Sequence, residues 1–370
     1  MYDLVITDDF DPRVEDEQFI LSSALARGIS GGSDIVRRYD AALAENFGMA
    51  RAVSVSSGFG ALVVALSALG LKAGDKVLLT PTCPICTVYA LTFMRLVPVF
   101  VDTQPDNFGM DPDHAQSLFD AQVAAMIEIP MWGYPLNGDT ARAFCSARGI
   151  PLLMDIALAH KARFGGRLLG SWGDAATFST HWSKNFVTAE GGAVLTDDVT
   201  LAERARRFSR PSEDNAPKPG LNYSLCGIQA ALGLARLSRL DNDIAQRREI
   251  MALIGRELDN PHLEPLPIVE GGEAGGTKLL LRETSGDNRA LLAHMAARRV
   301  PSDILNYKCR ALYEFPVLAA YRSKCRNAEA LLASITTIPV HPDLSRRQLE
   351  HVVQSLNTYR PFAECETRSA

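Results

Sequence analysis

Between about residues 50 and 200 the chain alternates short, nearly all-apolar runs with segments whose apolar positions recur at helical spacing. The pattern predicts a helix over 59–69, following a Gly-containing turn, a strand over 77–79, a helix over 88–94, and a strand over 98–101 that ends in Asp102. It continues with a strand over 125–129, a helix over 139–148, and a strand over 151–154 that ends in Asp155. Two further strands are predicted over 176–179 and 193–196. Runs this short and this uniformly apolar are expected when helices cover both faces of a largely parallel sheet. The alternation predicts an α/β domain.

After residue 200 the pattern changes. A helix is predicted over 201–208, a Pro-bearing loop over 210–220, and one long amphipathic helix over 228–251. A smaller α+β region follows, with a strand over 278–282, a helix over 289–299 and a closing helix over 344–357. The run GGEAGG at 271–276 reads as a flexible turn before that strand. A chain of 370 residues exceeds the size at which single cores usually stop growing, so two domains are expected, divided as 1–240 and 241–370.

Composition adds exclusions. With 47% hydrophobic and 22% charged residues the chain has an ordinary globular balance. A formal net charge of −5 offers no electrostatic footprint for nucleic acid or an anionic membrane surface. No apolar run approaches the ~20 residues that span a bilayer. The acidic start, MYDLVITDDFDPRVEDEQ, lacks the basic head and apolar core of a signal peptide. Seven scattered cysteines are no disulfide framework, and a reducing cytoplasm fits them best.

Lys184 stands out chemically. It lies in STHWSKNFVTAEGG (179–192), between two predicted strands, where burial would lower its amine pKa and make it nucleophilic enough to form an imine. The Glu-Gly-Gly at 190–192 suggests tight backbone there. Asp155 closes a buried strand, and ligands of open α/β sheets bind outside the carboxyl ends of strands. It also suits a helix N-cap; Asp102, which ends another strand in the same way, is read as a cap or turn residue. The SSGFGA segment at 56–61 precedes an apolar helix, so its backbone N–H groups could bind phosphate or simply form a capped turn. Cys83 and Cys86 form a C-x-x-C spacing, but no second pair completes a metal site, and they read as ordinary semi-buried thiols. His160 and His181 lie near the proposed site in sequence and suit structural roles equally well.

From about Ile29 to Leu356 the chain resembles the DegT/DnrJ/EryC1/StrS family of pyridoxal-phosphate-dependent (sugar) aminotransferases of fold type I. Residues 178–198 (FSTHWSKN…AEGGAVLTDD) resemble its cofactor-lysine motif; 220–237 and 328–345 resemble two further signatures. The resemblance implies a large domain with a mostly parallel, seven-stranded-type mixed sheet, a small C-terminal domain, and a homodimer with shared active sites. It implies that Lys184 carries pyridoxal 5'-phosphate as a Schiff base and shuttles the proton, and that Asp155 pairs with the ring nitrogen. It further implies that Ser179, Ser57 and the backbone at Gly58, Phe59 and Gly60 hold the phosphate, while Asn222 reaches the neighbouring subunit's phosphate.

Departures from the family pattern cluster around the same group. Leu158 stands where Gln or His is usual, Pro84 where an aromatic residue stacks on the ring, Phe59 where a threonine belongs, and Ser224 and Gly227 where Arg and Glu are usual. The segment NYKCRALY at 306–313 replaces a histidine-rich substrate segment. The reaction implied is amino transfer from an amino acid such as glutamate to a keto sugar or sugar-like metabolite. Another carbanion route on the same cofactor, and a degenerate homologue with a binding role, stand as alternatives.

Overall fold

The computed structural model describes residues 17–211 and 219–361. The acidic segment 1–16, most of the Pro-bearing loop and the last nine residues lie outside the described residues. Nine strands form the first half: β1 (Arg51–Val55), β2 (Lys76–Leu79), β3 (Val97–Phe100), β4 (Val123–Glu128), β5 (Leu152–Asp155), β6 (Arg163–Phe164), β7 (Arg167–Leu168), β8 (Ala175–Ser179) and β9 (Gly192–Thr196). The second half adds β10 (Leu263–Pro265), β11 (Gly272–Glu273), β12 (Lys278–Glu283) and β13 (Ile335–Pro339).

The main sheet has seven strands in the order β1-β9-β8-β5-β4-β2-β3. Pairs β5/β8, β4/β5, β2/β4 and β2/β3 are parallel, and β9 alone runs against its two neighbours. The mixed, mostly parallel sheet expected from the sequence is therefore present. Adjacent strand residues serve opposite faces: Leu153, Ile127 and Leu79 enter one core, and Leu152, Met126 and Leu78 the other. Both faces being dry explains why these strands read as unbroken apolar runs.

The crossover helices start where the local chemistry places them. Ser57, Asn137 and Asp198 each accept a backbone N–H from the first turn of the following helix. Helix Gly138–Arg148 ends at Gly149 with φ 64°, a left-handed stop that glycine adopts without strain.

A second sheet, β10-β12-β13, is antiparallel and covers its own core. Helix Leu240–Glu257 joins the two cores, giving Leu240 and Ile244 to the first and Met251 and Ile254 to the second.

Two expectations are corrected. The single helix over 228–251 is two helices, Gly227–Leu237 and Leu240–Glu257, broken at Ser238 and Arg239. Ser238 turns its hydroxyl back onto Ala235 O at 2.7 Å, a local bond that competes with helix continuation. GGEAGG is no flexible turn. Gly272 and Glu273 form β11 against β6, Ala274 is buried, and the Gly275 N–H donates to Gly133 O at 2.7 Å. Glycine composition suggested freedom, but the glycines are there because neighbours crowd the backbone: a Cβ on Gly272 would lie 2.6 Å from Pro135.

Candidate active site

Lys184 sits on the connection between β8 and β9, a hairpin closed by Thr180 N–H to Gly191 O at 2.9 Å and Thr188 N–H to Thr180 O at 2.8 Å. Its backbone N–H turns onto His181 O. The tight backbone expected at 190–192 is present. Gly191 has φ 147°, and a Cβ on Gly192 would lie 2.7 Å from Ser57 O. The loop is also anchored from the side. Asn185 is buried and donates to Gly275 O at 3.1 Å and Thr277 Oγ1 at 2.9 Å.

Lys184 lines a cavity of about 750 Å3 between the carboxyl ends of the central strands and the second sheet. Burial lowers its amine pKa; Cys86, Asp155 and Asp303 pull it back up. Pro84 and Leu158 line the same cavity, as do Cys83, Cys86, Trp132 and Trp182. Cys83 is buried, and burial raises its thiol pKa, whereas Cys86 is exposed.

Asp155 lies one layer beneath, at the end of β5, and is buried. Its carboxylate accepts from Thr87 Oγ1 at 3.2 Å and from Ala157 N–H at 3.2 Å. Burial raises its pKa against the opposing pull of that N–H, Lys184 and the Thr87 hydroxyl. Thr87, one residue after Cys86 in helix Ile85–Phe93, was not singled out by the sequence; its partner is 68 residues away.

The start of helix Gly58–Ala68 packs beside Ser179, both outside the lining of the large cavity. A Cβ on Gly58 would lie 2.6 Å from Ser179 Cβ, so only glycine permits this approach. Ser57 Oγ accepts the Gly60 N–H at 3.0 Å. Gly58 and Phe59, in the first turn, have N–H groups without intrahelical acceptors. Ser179 Oγ accepts from His181 N–H at 3.2 Å, and its carbonyl accepts from His160 Nε2 at 2.9 Å. Burial pushes the His160 pKa down to about 3, and its Nδ1 has no hydrogen-bond partner, so the ring is neutral and structural. Asn222 is exposed and its Oδ1 accepts from Ser224 N–H at 3.3 Å. Ser56 N–H donates to Tyr223 O, which brings the 222–224 segment against the same turn.

The opposite wall comes from residues the sequence did not flag. Trp132 is buried with φ 51°, an uncommon backbone state for a bulky side chain, and donates its indole N–H to Asp303 Oδ2 at 2.8 Å. Asp303 Oδ1 pairs with Lys278 Nζ at 3.5 Å. No group of three or more potential metal ligands occurs among the described residues. Asp102 is a cap as read, although its helix is distant: its carboxylate accepts from Asn327 N–H at 3.0 Å and Ala328 N–H at 2.9 Å.

A mostly parallel sheet with one reversed strand, a second small sheet and a cavity at the strand ends make an architecture that superposes on solved aminotransferases, which places the chain in the fold type I class that works through pyridoxal 5'-phosphate. S. venezuelae DesV, solved in complex with a ketimine intermediate, superposes with a TM-score of 0.85 at 25% identity, covering 93% of this chain and 94% of that one. GDP-perosamine synthase of Escherichia coli O157:H7 is 26% identical over 339 residues, 90% of this chain and 92% of the relative. L-glutamine:2-deoxy-scyllo-inosose aminotransferase of Micromonospora echinospora is 32% identical over 257 residues, 65% and 61% of the two chains. The pattern of the DegT/DnrJ/EryC1/StrS aminotransferase family matches residues 15–357, and the chain belongs to that family. It is an aminotransferase, and its cofactor is pyridoxal 5'-phosphate.

Proposed function

We propose that this aminotransferase carries an amino group from an α-amino acid to the keto carbon of a sugar or sugar-like ring, with Lys184 as its reacting amine. The observation that carries this is the pairing of Lys184, in the cavity wall, with the buried Asp155 within electrostatic reach. The two relatives named above point to the substrate class. One is named for an amino sugar on GDP, the other for an L-glutamine donor and an inosose acceptor.

The residues fit the cofactor. Asp155 is a buried carboxylate whose pKa is raised by its dry surroundings, the environment a protonated ring nitrogen would relieve. Gly58 leaves a cradle at Ser179 that any side chain would fill, and the Gly58 and Phe59 N–H groups head the helix there. Pyridoxal phosphate, when bound, supplies an aldehyde that captures amines and a ring that accepts electron density.

Lys184 would hold that group and, once displaced by the donor, move the proton at the donor's α-carbon. Its lowered pKa favours the neutral amine needed for both tasks. Asp155 would keep the ring nitrogen protonated, and Thr87 would fix the carboxylate's orientation. Ser179, Gly58 and Phe59 would hold the phosphate. Ser57, by taking the Gly60 N–H, sets the first helical turn and leaves the two preceding N–H groups for the anion. Pro84 and Leu158 would contribute apolar contact to the ring.

A homodimer with shared sites is part of the same proposal. Asn222 is exposed and flanked by exposed Leu221, with Ile228, Tyr89 and Phe93 also presenting apolar surface. Such an arrangement suits an Asn222 that reaches a neighbouring copy's phosphate. Location in the cytoplasm is supported by the six described cysteines all being unpaired thiols.

Borohydride reduction of the holoenzyme followed by peptide mapping tests the central assignment. A tag on Lys184 is expected, and Lys184→Ala should lose the bound cofactor's visible absorption. A tag elsewhere, or none, overturns it.

A further inference from the structure

The cavity wall facing Lys184 is built at some cost in backbone strain. Trp132, at φ 51°, is followed by Gly133 at φ 86°, and a bulky non-glycine residue is held at positive φ only where the surroundings impose it. That backbone shape brings Gly133 O to the Gly275 N–H and aims the Trp132 indole at Asp303. Asp303 in turn fixes the Lys278 ammonium, and the side chains of both are mostly buried. Trp132, Lys278 and Asp303 come from three separate segments, and all three line the cavity. Lys278 adjoins Thr277, which bonds the side chain of Asn185, the residue after Lys184, and the carbonyl of Leu158. Asp303, which holds Lys278, is itself within electrostatic reach of Lys184, so Lys278 shares the cavity with the reacting amine through that carboxylate. The other cation of the lining, Arg310, is exposed and stacks on Phe315.

An amino donor must place its α-carbon at Lys184, and its carboxylate is one bond from that carbon. A cation for that carboxylate has to stand close to the reacting amine. The phosphates of a nucleotide-linked acceptor lie farther from the keto carbon and call for a cation nearer the cavity mouth. We propose that Lys278 binds the α-carboxylate of the amino donor, with Asp303 and Trp132 as the residues that position it. The proposal rests on the aminotransferase reading above and adds the donor's binding residue to it.

The test uses holoenzyme in its pyridoxal form and follows conversion to the pyridoxamine form with L-glutamate and with L-glutamine. Lys278→Met should raise the half-saturating donor concentration by about 10- to 100-fold, the loss expected for one charge-assisted hydrogen bond. The maximal rate should change far less, and Lys278→Arg should restore part of the affinity. A second measurement needs no turnover: calorimetric binding of 2-oxoglutarate, which cannot react with the pyridoxal form, should weaken in parallel. Binding of GDP, a probe of the diphosphate alternative, should be unchanged. Lys278→Gln serves if the Met variant does not fold. Unchanged donor and 2-oxoglutarate constants, or a loss confined to GDP, overturn the proposal. Failure of the wild type to convert with any amino acid would instead count against the aminotransferase reading, and the 2-oxoglutarate arm would still decide the role of Lys278.

Discussion

Asn185 and Thr277 meet through a 2.9 Å hydrogen bond that ties the lysine-bearing hairpin of the main sheet to the residue just before β12, the central strand of the second sheet. The same Asn185 amide also donates to Gly275 O, and Thr277 passes its own hydroxyl hydrogen to Leu158 O at 2.6 Å. Lys184, the amine proposed to react, is thus located by both sheets, although it belongs to one.

Replacing Asn185 by Ala leaves the Gly275 carbonyl buried without that donor. The expected cost is about 1–3 kcal/mol, read as a lower denaturant midpoint. Turnover should fall further than stability explains, by roughly 10- to 100-fold, because small displacements of a reacting group are that costly. Comparison of single-turnover rates at saturating donor checks it; an unchanged rate would mean that the hairpin holds Lys184 unaided.

Asp102→Ala removes the acceptor for two N–H groups at the start of helix Arg326–Ser334. A loss of about 1–2 kcal/mol is expected, as for other N-caps. The helix belongs to the second half of the chain while Asp102 follows β3. Hydrogen exchange should therefore accelerate in 326–334 more than in the main sheet.

Glu128 is buried, one oxygen accepts from Met110 N–H at 3.1 Å, and the other has no partner. Burial pushes its pKa up to about 7 from an ordinary 4.5. The folded chain holds this proton more tightly than the unfolded chain does. Its stabilising effect is therefore complete below pH 4.5, declines as pH rises, and is gone above about 7. Glu128→Gln should gain on the wild type by about 2 kcal/mol between pH 5 and 8, measured by urea unfolding at the two values. A constant difference between the two proteins would refute the shift.

Gly58→Ala puts a methyl group 2.6 Å from Ser179 Cβ. Overpacking of this kind costs about 1–3 kcal/mol. If the phosphate lies there, cofactor affinity should drop as well, which equilibrium dialysis against pyridoxal phosphate would measure. Loss of stability with unchanged affinity would move the phosphate elsewhere.

The sequence made much of the main sheet legible because both its faces are dry, so each strand announces itself as an apolar run. The hairpin carrying Lys184 and the strand end at Asp155 followed from the same pattern. Thr87, Asn185, Lys278 and Asp303 carried no such signal. Each matters through a partner distant in the chain, and a lone polar residue near an apolar run shows nothing of that partner. Trp132 is hidden for another reason, since nothing in its neighbours but Gly133 hints at a left-handed backbone. The break after Leu237 and the order within GGEAGG escape the sequence because composition speaks for local freedom, whereas the packing of β6 and of the helix pair settles both.

The reversal of β9 has an evolutionary side. Because its direction lets a hairpin return to the adjacent strand, Lys184 rides on a bracket whose two feet, β8 and β9, are buried along their whole length. The facing wall is assembled from Trp132, just after β4, and from Lys278 and Asp303 of the later chain. Those pieces can be exchanged as the range of accepted molecules drifts, provided that the Gly275 and Thr277 contacts to Asn185 are kept. A lineage built this way can diversify what it recognises while leaving Lys184 in place.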